Sequence, residues 1–267
     1  MGVLAPAKRL IRRTMGVWPA MEWANKLVMG RALPRLTAFE DAEVARLTAQ
    51  IGGRREARIA VIMPTYKRPE QLVQAAESVL RQEVKDFVLM IVDDGAGLPD
   101  NLPRDPRVTA VSLSRNSAVL GLVRNVGIRL TDSKFIAFLD DDNLWTPNHL
   151  TVTTAALEAG ADLVYTAIRR RTAEGVELDI LSREFDRRTF SDQTNYVDSN
   201  SIALKRRPEA LFSRLPRTRK TLPKEDWEFV WRMSRGRKVQ HVPVPTVEYL
   251  VNLESFYTNW DGVAPKG

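Results

Sequence analysis

Four short, nearly uninterrupted apolar runs, separated by segments of helical periodicity, constrain the fold of this chain most strongly. The runs occupy residues 59–63, 87–92, 108–113 and 135–139. Apolar side chains recur at helical spacing in residues 70–81 and 119–130. Strands that are apolar on both faces and separated by helices are typical of a parallel sheet with helices on both sides. The pattern therefore predicts an α/β fold with a single, mostly parallel twisted sheet flanked by helices.

The length of the chain limits its domain organisation. At 267 residues and 44% apolar composition it can bury one sizeable core, which favours one domain with an appendage. Residues 40–50 have helical spacing and precede Gly52 and Gly53, which are typical helix-ending residues. We expect residues 1–57 to form a basic helical N-terminal extension and residues 58–267 to form the domain.

The composition excludes several kinds of site. The chain has no cysteine and two histidines, so disulfides and thiolate sites are absent and a zinc cluster is improbable. No apolar run reaches the roughly 20 residues that a membrane-spanning helix needs, and the N-terminus lacks the apolar stretch of a secretory signal. We therefore expect a soluble, cytoplasmic protein.

Positive charge is concentrated at the N-terminus. The net charge is +7, and the first 35 residues hold seven Lys or Arg against Glu22 alone, so the rest of the chain is nearly neutral. This distribution does not favour a nucleic acid partner. Two interpretations of the basic segment remain open. It can be an amphipathic segment lying on the inner membrane face, or an extension that packs its Trp and Leu residues on the domain and leaves its charges in water.

Polar residues follow three of the predicted strands at the point where each strand ends. They are Thr65, Tyr66, Lys67 and Arg68 after the first strand, Asp93 and Asp94 after the second, and Asp140, Asp141, Asp142 and Asn143 after the fourth. In sheets of this kind, ligands bind outside the carboxyl ends of the strands. The sequence therefore predicts that these residues meet in one cleft.

The acidic run Asp140, Asp141 and Asp142 needs a compensating cation. Three adjacent carboxylates at the end of a strand repel one another and are partly desolvated. Mg²⁺ or Mn²⁺ takes one or two carboxylates and completes its shell with water and phosphate oxygens, so a diphosphate is its natural companion. The alternative is a solvated acidic turn that caps a helix beginning near Pro147. The strand before the run and the second acidic strand end favour the metal.

Asp93 and Asp94 allow two interpretations. One carboxylate can accept from the N3–H of a pyrimidine or from ribose hydroxyls, or both can be turn residues before Gly95. Phosphatases of the haloacid dehalogenase type also place an aspartate after a strand, but their DxDxT motif is broken here by Gly95.

Five segments, taken in order, resemble the motif series of the family 2 inverting glycosyltransferases. They are AVIMPTYKR at residues 60–68, IVDDG at 91–95, RNVGI at 124–128, FIAFLDDD at 135–142 and KEDWE at 224–228. The resemblance covers residues 58–249, and residues 1–57 have no counterpart in it. It implies the GT-A fold and inverting transfer of a sugar from a UDP- or TDP-linked donor to an acceptor hydroxyl.

The resemblance also implies roles for individual residues. Nucleotide contacts are expected from Thr65, Tyr66, Asp93, Asp94, Arg124, Asn125 and Asp141. The metal ion, Mn²⁺ or Mg²⁺, is expected on Asp142 first and on Asp140. Asp226 matches the general base, with Glu225 supporting it; both also suit the first turn of a helix over residues 227–233.

The acceptor class stays open between a saccharide, a lipid-linked molecule and a small molecule. Asp198, Ser199 and Asn200 follow a predicted strand at residues 196–197 and face the donor sugar or the acceptor, or else form a turn. Residues 205–220 carry seven Lys or Arg and one Glu, which favours a mobile loop able to meet a phosphorylated or lipid-linked acceptor.

Two other functions were weighed. A catalytically silent GT-A-like domain would bind nucleotide or act as a scaffold, but the positions for metal and base are all intact. A nucleotidyltransferase would need a glycine-rich phosphate loop after the first strand, where Pro64, Thr65 and Tyr66 stand instead.

Overall fold

The computed structural model describes residues 24–172, 174–192, 196–216 and 225–251. The strands are β1 (Arg55–Thr65), β2 (Phe87–Asp93), β3 (Val108–Ser112), β4 (Thr131–Phe138), β5 (Asn143–Trp145), β6 (Leu163–Arg171), β7 (Glu177–Leu181), β8 (Ile202–Lys205) and β9 (Val239–Leu250). The α-helices are α1 (Leu33–Gln50), α2 (Pro69–Leu80), α3 (Leu120–Arg129), α4 (His149–Glu158), α5 (Arg187–Asp192) and α6 (Glu225–Met233). A 3₁₀ turn covers Ser199–Ser201.

One nine-stranded sheet organises these elements, in the order β3-β2-β1-β4-β8-β6-β9-β5, with β7 paired to β6. The strands from β3 to β4 are all parallel, as the sequence predicts. Beyond β4 the sheet is mixed, because β8 runs antiparallel to both of its neighbours while β6 and β9 run parallel to each other. The carboxyl ends of β1, β2 and β4 therefore lie at one edge.

The core lies on both faces of this sheet. Along β1, Ala60 and Ile62 pack with α1 and α3 on one face, whereas Val61 and Met63 pack with α2 on the other. All seven residues of β2 are buried. Because both faces are covered, successive side chains of these strands are apolar, which explains the uninterrupted runs in the sequence.

Close packing of α3 on β1 depends on Gly127. A Cβ atom at this position would stand 2.7 Å from Cγ2 of Ile62, closer than two carbon atoms normally approach. The glycine thus lets α3 lie directly on the central strand. Its first turns then reach the carboxyl edge of the sheet.

Helix α1 is longer than the predicted helix over residues 40–50. It begins at Leu33, because Pro34 fits the first helical turn, and the chain after it turns through Gly52 and Gly53 at φ values of 72° and 120°. Leu47 is fully buried in the core. Leu27 and Val28, before α1, are exposed. Residues 1–23 lie outside the described part of the chain, and so does most of the basic segment.

Glu40 on α1 is fully buried and forms ion pairs with arginines from two other segments. Its carboxylate lies 2.8 Å from Nη1 of Arg129 and 2.6 Å from Nε and Nη2 of Arg214, and it accepts a hydrogen bond from Asn125. These contacts fasten α1 to α3 and to the segment after β8.

The basic stretch after β8 is therefore ordered where the structure describes it. Arg206 donates to the carbonyls of Ile128 and Ser133, and Phe212 is buried. The prediction of a mobile loop is wrong for residues 205–216, because these arginines have partners within the fold. Residues 217–224 lie outside the described residues.

The predicted strand at residues 196–197 is also wrong. The strand in this region is β8, and the 3₁₀ turn Ser199–Ser201 precedes it. The carboxylate of Asp198 accepts a hydrogen bond from the backbone N–H of Asn200 at 2.8 Å, which favours a tight turn over an extended chain.

None of the described helices combines the length and the apolar character needed to cross a membrane.

The buried carboxylate of Glu40 predicts a large stability effect. We expect Glu40→Ala to lower the free energy of unfolding by about 3 kcal/mol, because two arginines and an amide lose a buried partner. Asp41→Ala is the matched control: its carboxylate pairs with the same Arg129 but is 56% exposed, so we expect a loss below about 1 kcal/mol. Urea unfolding measures both, and equal losses would contradict the assignment.

Candidate functional site

A cavity of about 490 Å³ opens at the carboxyl edge of the parallel strands. The loops after β1, β2 and β4 form one side of it, and the 3₁₀ turn, the start of α6 and the end of β9 form the other. Nine of the predicted site residues line it: Thr65, Tyr66, Asp94, Arg124, Asp140, Asp141, Asp142, Glu225 and Asp226. The expected single cleft is thus present, and it brings together segments from residue 65 to residue 226.

Asp141 is buried and points back toward the end of β1. Its carboxylate accepts hydrogen bonds from Oγ1 of Thr65 at 2.7 Å and from Nη1 of Arg68 at 3.0 Å. Burial raises the pKa of Asp141 to about 6, and the neighbouring Asp142 adds to this rise. Asp141 therefore links the loop after β1 to the acidic run.

Asp142 is the more accessible of these two carboxylates, with its side chain 39% exposed. It also pairs with Arg68, and it accepts a hydrogen bond from Nδ2 of Asn143 at 2.9 Å. Burial raises the pKa of Asp142, with Asp140 adding to the rise. An accessible carboxylate in this position can reach a cation in the cavity.

The residues present fit a hard divalent cation. Within the described ranges, no three His, Cys, Asp or Glu side chains form a ready cluster for a metal. Mg²⁺ or Mn²⁺ needs only one or two carboxylates, because water and phosphate fill the rest of its shell. Asn143 also lines the cavity, and its buried Oδ1 has no hydrogen-bond partner, so an unpaired amide oxygen lies next to Asp142 in the chain.

Arg124 carries a positive charge into the floor of the cavity. Its side chain is 2% exposed and lies 2.6 Å from Oδ1 of Asp140, 2.9 Å from Oγ of Ser199 and 3.7 Å from Oε1 of Glu225. The guanidinium also lies over the ring of Phe212. Because a buried charge is stable only when it is paired, Arg124 and its partners fix one another.

Asn200 holds Asp140 from the other side, a role that the sequence did not reveal. Its Oδ1 accepts from the backbone N–H of Asp140 at 2.5 Å, and its Nδ2 donates to the carboxylates of Asp198 and Asp140 at 2.6 and 3.3 Å. The indole of Trp145 donates to its carbonyl. The signal in the sequence was the Asp-x-Asn spacing at residues 198–200, which is also typical of ordinary turns.

Asp94 lines the cavity and also orders the loop beside it. Its carboxylate accepts from the backbone N–H groups of Ser117 and Ala118 at 2.7 and 3.1 Å. Ala118 has a φ of 53°, in the left-handed region, so the loop needs this support. Burial raises the pKa of Asp94.

Two of the predicted nucleotide-binding residues do not line the cavity. Asp93 points away from it, where its carboxylate accepts from the N–H groups of Ala96 and Gly97 and from Oγ of Ser112. Asn125 faces α1 and the segment after β8, where its amide bonds to Glu40 and to the backbone of Phe212. Asp93 therefore stabilises a turn. Asn125 links α3 to α1.

Glu225 and Asp226 enter the cavity at the start of α6, where the helix dipole favours negative charge. Glu225 is buried, and burial together with the charge of Asp226 raises its pKa well above the ordinary range, while Arg124 opposes that rise. Asp226 is partly exposed. The two neighbours therefore differ: Glu225 faces the arginine, and Asp226 is accessible from the cavity.

Tyr249 completes the cavity wall and was also missed. It lies on β9 opposite Asn143 of β5. Burial raises its pKa, and nearby carboxylates, Asp198 first among them, raise it further. The pairing of two strands about 100 residues apart, which places it here, has no local signal in the sequence.

The raised pKa of Asp198 predicts a pH-dependent stability. Burial raises this pKa from 3.8 to about 7, so the native state holds the proton more tightly than the unfolded chain, and this group lowers stability as pH rises from about 4 to 7. We expect Asp198→Asn, which keeps the turn but cannot ionise, to gain about 2 kcal/mol relative to wild type between pH 5 and pH 8.

Urea unfolding across this pH range measures the difference. Ser201→Ala, which removes a hydrogen bond to the carbonyl of Asp198 in the same turn, serves as the control and should show no change with pH relative to wild type. A constant difference for Asp198→Asn would show that this carboxyl titrates normally.

Comparison with known proteins identifies relatives of this chain. The sequence model of Glycosyl transferase family 2 matches residues 60–215, more than half of the chain. WcaA of Escherichia coli (strain K12), named as a glycosyl transferase of colanic acid biosynthesis, is 37% identical over 100 residues, which are 35% of this chain and 36% of WcaA. The chain thus matches about a third of the length of that relative.

Solved structures show the same fold at low sequence identity. TarS 1-349 of Staphylococcus aureus in complex with UDP-GlcNAc superposes with a TM-score of 0.59 at 15% identity, covering 74% of this chain and 60% of TarS 1-349. The mannosyltransferase PcManGT of Pyrobaculum calidifontis, with GDP-Man and Mn²⁺, gives 0.56 at 13% identity, covering 87% and 70%. The fold is GT-A, and the chain belongs to glycosyl transferase family 2.

Proposed function

We propose that this chain is an inverting, metal-dependent glycosyltransferase that moves a sugar from a UDP- or TDP-linked donor to an acceptor hydroxyl. The observation that carries the proposal is that the acidic run after β4 and Asp226 at the start of α6 line one cavity. The acidic run can hold a metal ion for the leaving diphosphate. Asp226 can accept the proton of the attacking hydroxyl. A single cavity can therefore hold both ends of the reaction.

The nucleoside end of the donor is assigned to the loops after β1 and β2. Tyr66 is 39% exposed at the cavity and presents a ring on which a base can stack. Thr65 and Asp94 lie beside it and supply polar contacts for the base or ribose. A pyrimidine is favoured by the family resemblance, and a UDP-sugar is the ligand of TarS in the structure compared above.

The diphosphate end is assigned to the acidic run. Asp142 and Asp140 would hold Mn²⁺ or Mg²⁺, which as a Lewis acid neutralises the charge that develops on the departing diphosphate. Asp141 keeps the loop carrying Tyr66 in place through its bonds to Thr65 and Arg68. Asn200 and Arg124 hold Asp140 in its orientation.

The acceptor side is assigned to Asp226. Its carboxylate takes the proton of the acceptor hydroxyl while that oxygen forms a bond to the anomeric carbon, and the bond from this carbon to the diphosphate oxygen breaks. The nucleoside diphosphate leaves with the bonding electrons. Attack from the face opposite the leaving group inverts the configuration. Glu225, held against Arg124, supports the position of Asp226.

A thermal-shift screen tests the proposal. A ligand that binds only the native state raises the melting temperature, so UDP or TDP with Mn²⁺ should raise it more than either nucleotide alone. GDP and ADP serve as comparisons, and a larger shift with GDP would overturn the pyrimidine assignment. Calorimetry that finds no binding of any nucleoside diphosphate, with or without Mn²⁺, would overturn the proposed function.

Two substitutions separate the metal-binding role from the base role. Asp142→Asn should weaken UDP binding and abolish its dependence on Mn²⁺, because the carboxylate that would hold the ion beside the diphosphate is lost. Asp226→Asn should leave UDP binding and its metal dependence intact while transfer falls by about 10² to 10⁴-fold, the usual contribution of a general base. Calorimetry and a donor-turnover assay measure the two properties.

A matched control lies on the same helix as the base. Glu228→Gln removes a carboxylate that pairs with Arg232 and does not line the cavity, so transfer should stay near the wild-type rate. If Asp226→Asn keeps wild-type transfer at saturating substrate, the base lies elsewhere and Glu225 is the next carboxylate to test.

A further inference from the structure

Acidic residues greatly outnumber basic residues among the described residues that line the cavity. Of the residues that the structure describes around it, seven are carboxylates and two, Arg68 and Arg124, are cations. The carboxylates cannot all be ionised in a shared cavity without positive charge beside them. The two arginines therefore decide how much negative charge the unliganded site carries.

The two arginines differ in freedom. The side chain of Arg124 is 2% exposed and is held by Asp140, Ser199 and Glu225. The side chain of Arg68 is 46% exposed, and its described hydrogen bonds go only to Asp141 and Asp142. One cation is thus built into the fold, and the other can leave its partners by rotating into solvent.

The position of Arg68 matters as much as its freedom. A single nitrogen, Nη1, contacts Oδ1 of Asp141 at 3.0 Å and also Oδ2 of Asp142. It therefore occupies an oxygen of Asp142, the carboxylate proposed above as a metal ligand. The preceding residue, Lys67, has a φ of 56°, in the left-handed region. This strained backbone conformation helps to set the position of Arg68.

We propose that Arg68 is an exchangeable counter-ion. In the unliganded protein its guanidinium neutralises Asp141 and Asp142, and a divalent cation that arrives with the donor displaces it. The displaced guanidinium then lies beside the donor diphosphate and can pair with it. This inference rests on the proposed function, and it adds that the metal and Arg68 compete for Asp142 until the diphosphate offers Arg68 another partner.

If Arg68 competes with the metal and then pairs with the diphosphate, its removal should have opposite effects on metal binding without and with nucleotide. Without nucleotide, removing Arg68 should strengthen binding of Mn²⁺ alone, because the ion no longer has to break an ion pair. With nucleotide, the same change should weaken binding of the metal–nucleotide complex, because a partner of the diphosphate is lost. A residue that only stabilised the loop would weaken both or change neither.

The test compares Arg68→Gln, Arg68→Lys and Arg58→Gln with wild type. Arg58 lies on the same strand as Thr65 but pairs with Glu158 outside the cavity, and its side chain is 36% exposed, so Arg58→Gln loses the same charge as a control. Binding of Mn²⁺ alone is measured by electron paramagnetic resonance, and binding of UDP at saturating Mn²⁺ by calorimetry. Melting temperatures check that each variant is folded.

For Arg68→Gln we expect Mn²⁺ alone to bind roughly two- to fivefold more tightly than to wild type, the upper part of the range for loss of a half-exposed ion pair. UDP with Mn²⁺ should bind at least about threefold more weakly. Arg68→Lys should fall between these values, because lysine keeps the charge but not the planar fork. Arg58→Gln should match wild type in both measurements.

Each alternative outcome has a distinct meaning. The proposed exchange of Arg68 for the metal is overturned if Arg68→Gln binds Mn²⁺ alone no more tightly than wild type does. It is also overturned if no variant binds Mn²⁺ detectably. Equal strengthening by Arg58→Gln also overturns it, since net charge alone then explains the effect. If wild type binds no UDP under any condition, the proposed function fails, whereas tighter Mn²⁺ binding by Arg68→Gln alone would still support competition at the carboxylates.

Discussion

Crowding of seven carboxylates around one cavity is the constraint on which the rest of this structure depends. Buried negative charges repel one another unless cations and hydrogen bonds offset them. Arg124 supplies the built-in cation, and its partners come from three segments: Asp140 after β4, Ser199 before β8 and Glu225 at the start of α6. One guanidinium thus fixes the relative positions of segments that lie up to 85 residues apart in the chain.

The place of Arg124 depends in turn on how closely α3 packs. Gly127, less than one turn further along the helix, leaves no Cβ against Ile62, so α3 lies directly on β1. On the outer side of α3, Glu40 holds Asn125 and Arg129. Helix α1 precedes the residues matched by the family model, yet its buried carboxylate supports from behind the helix that carries the buried arginine.

Sequence reasoning located the parallel half of the sheet and most of the cavity, because both have local signals. Apolar runs fix the strands, and polar residues at their ends fix the cleft. The contributions of Tyr249 and Glu40 had no such signal, since each depends on a partner far away in the chain. The spacing at residues 198–200 indicated a turn but did not reveal the bond from Asn200 to Asp140. Asp93 and Asn125 were placed in the cavity by their motifs, but adjacent residues on a strand end or helix point in different directions.

The adjacent acids Glu225 and Asp226 show how burial can divide two roles between neighbours. Burial and the charge of Asp226 both raise the pKa of Glu225, which lies against Arg124. A buried carboxyl whose pKa is raised holds its proton more easily, which suits Glu225 to a supporting role. Asp226, which is partly exposed in the cavity, is then the carboxylate that can meet an acceptor hydroxyl.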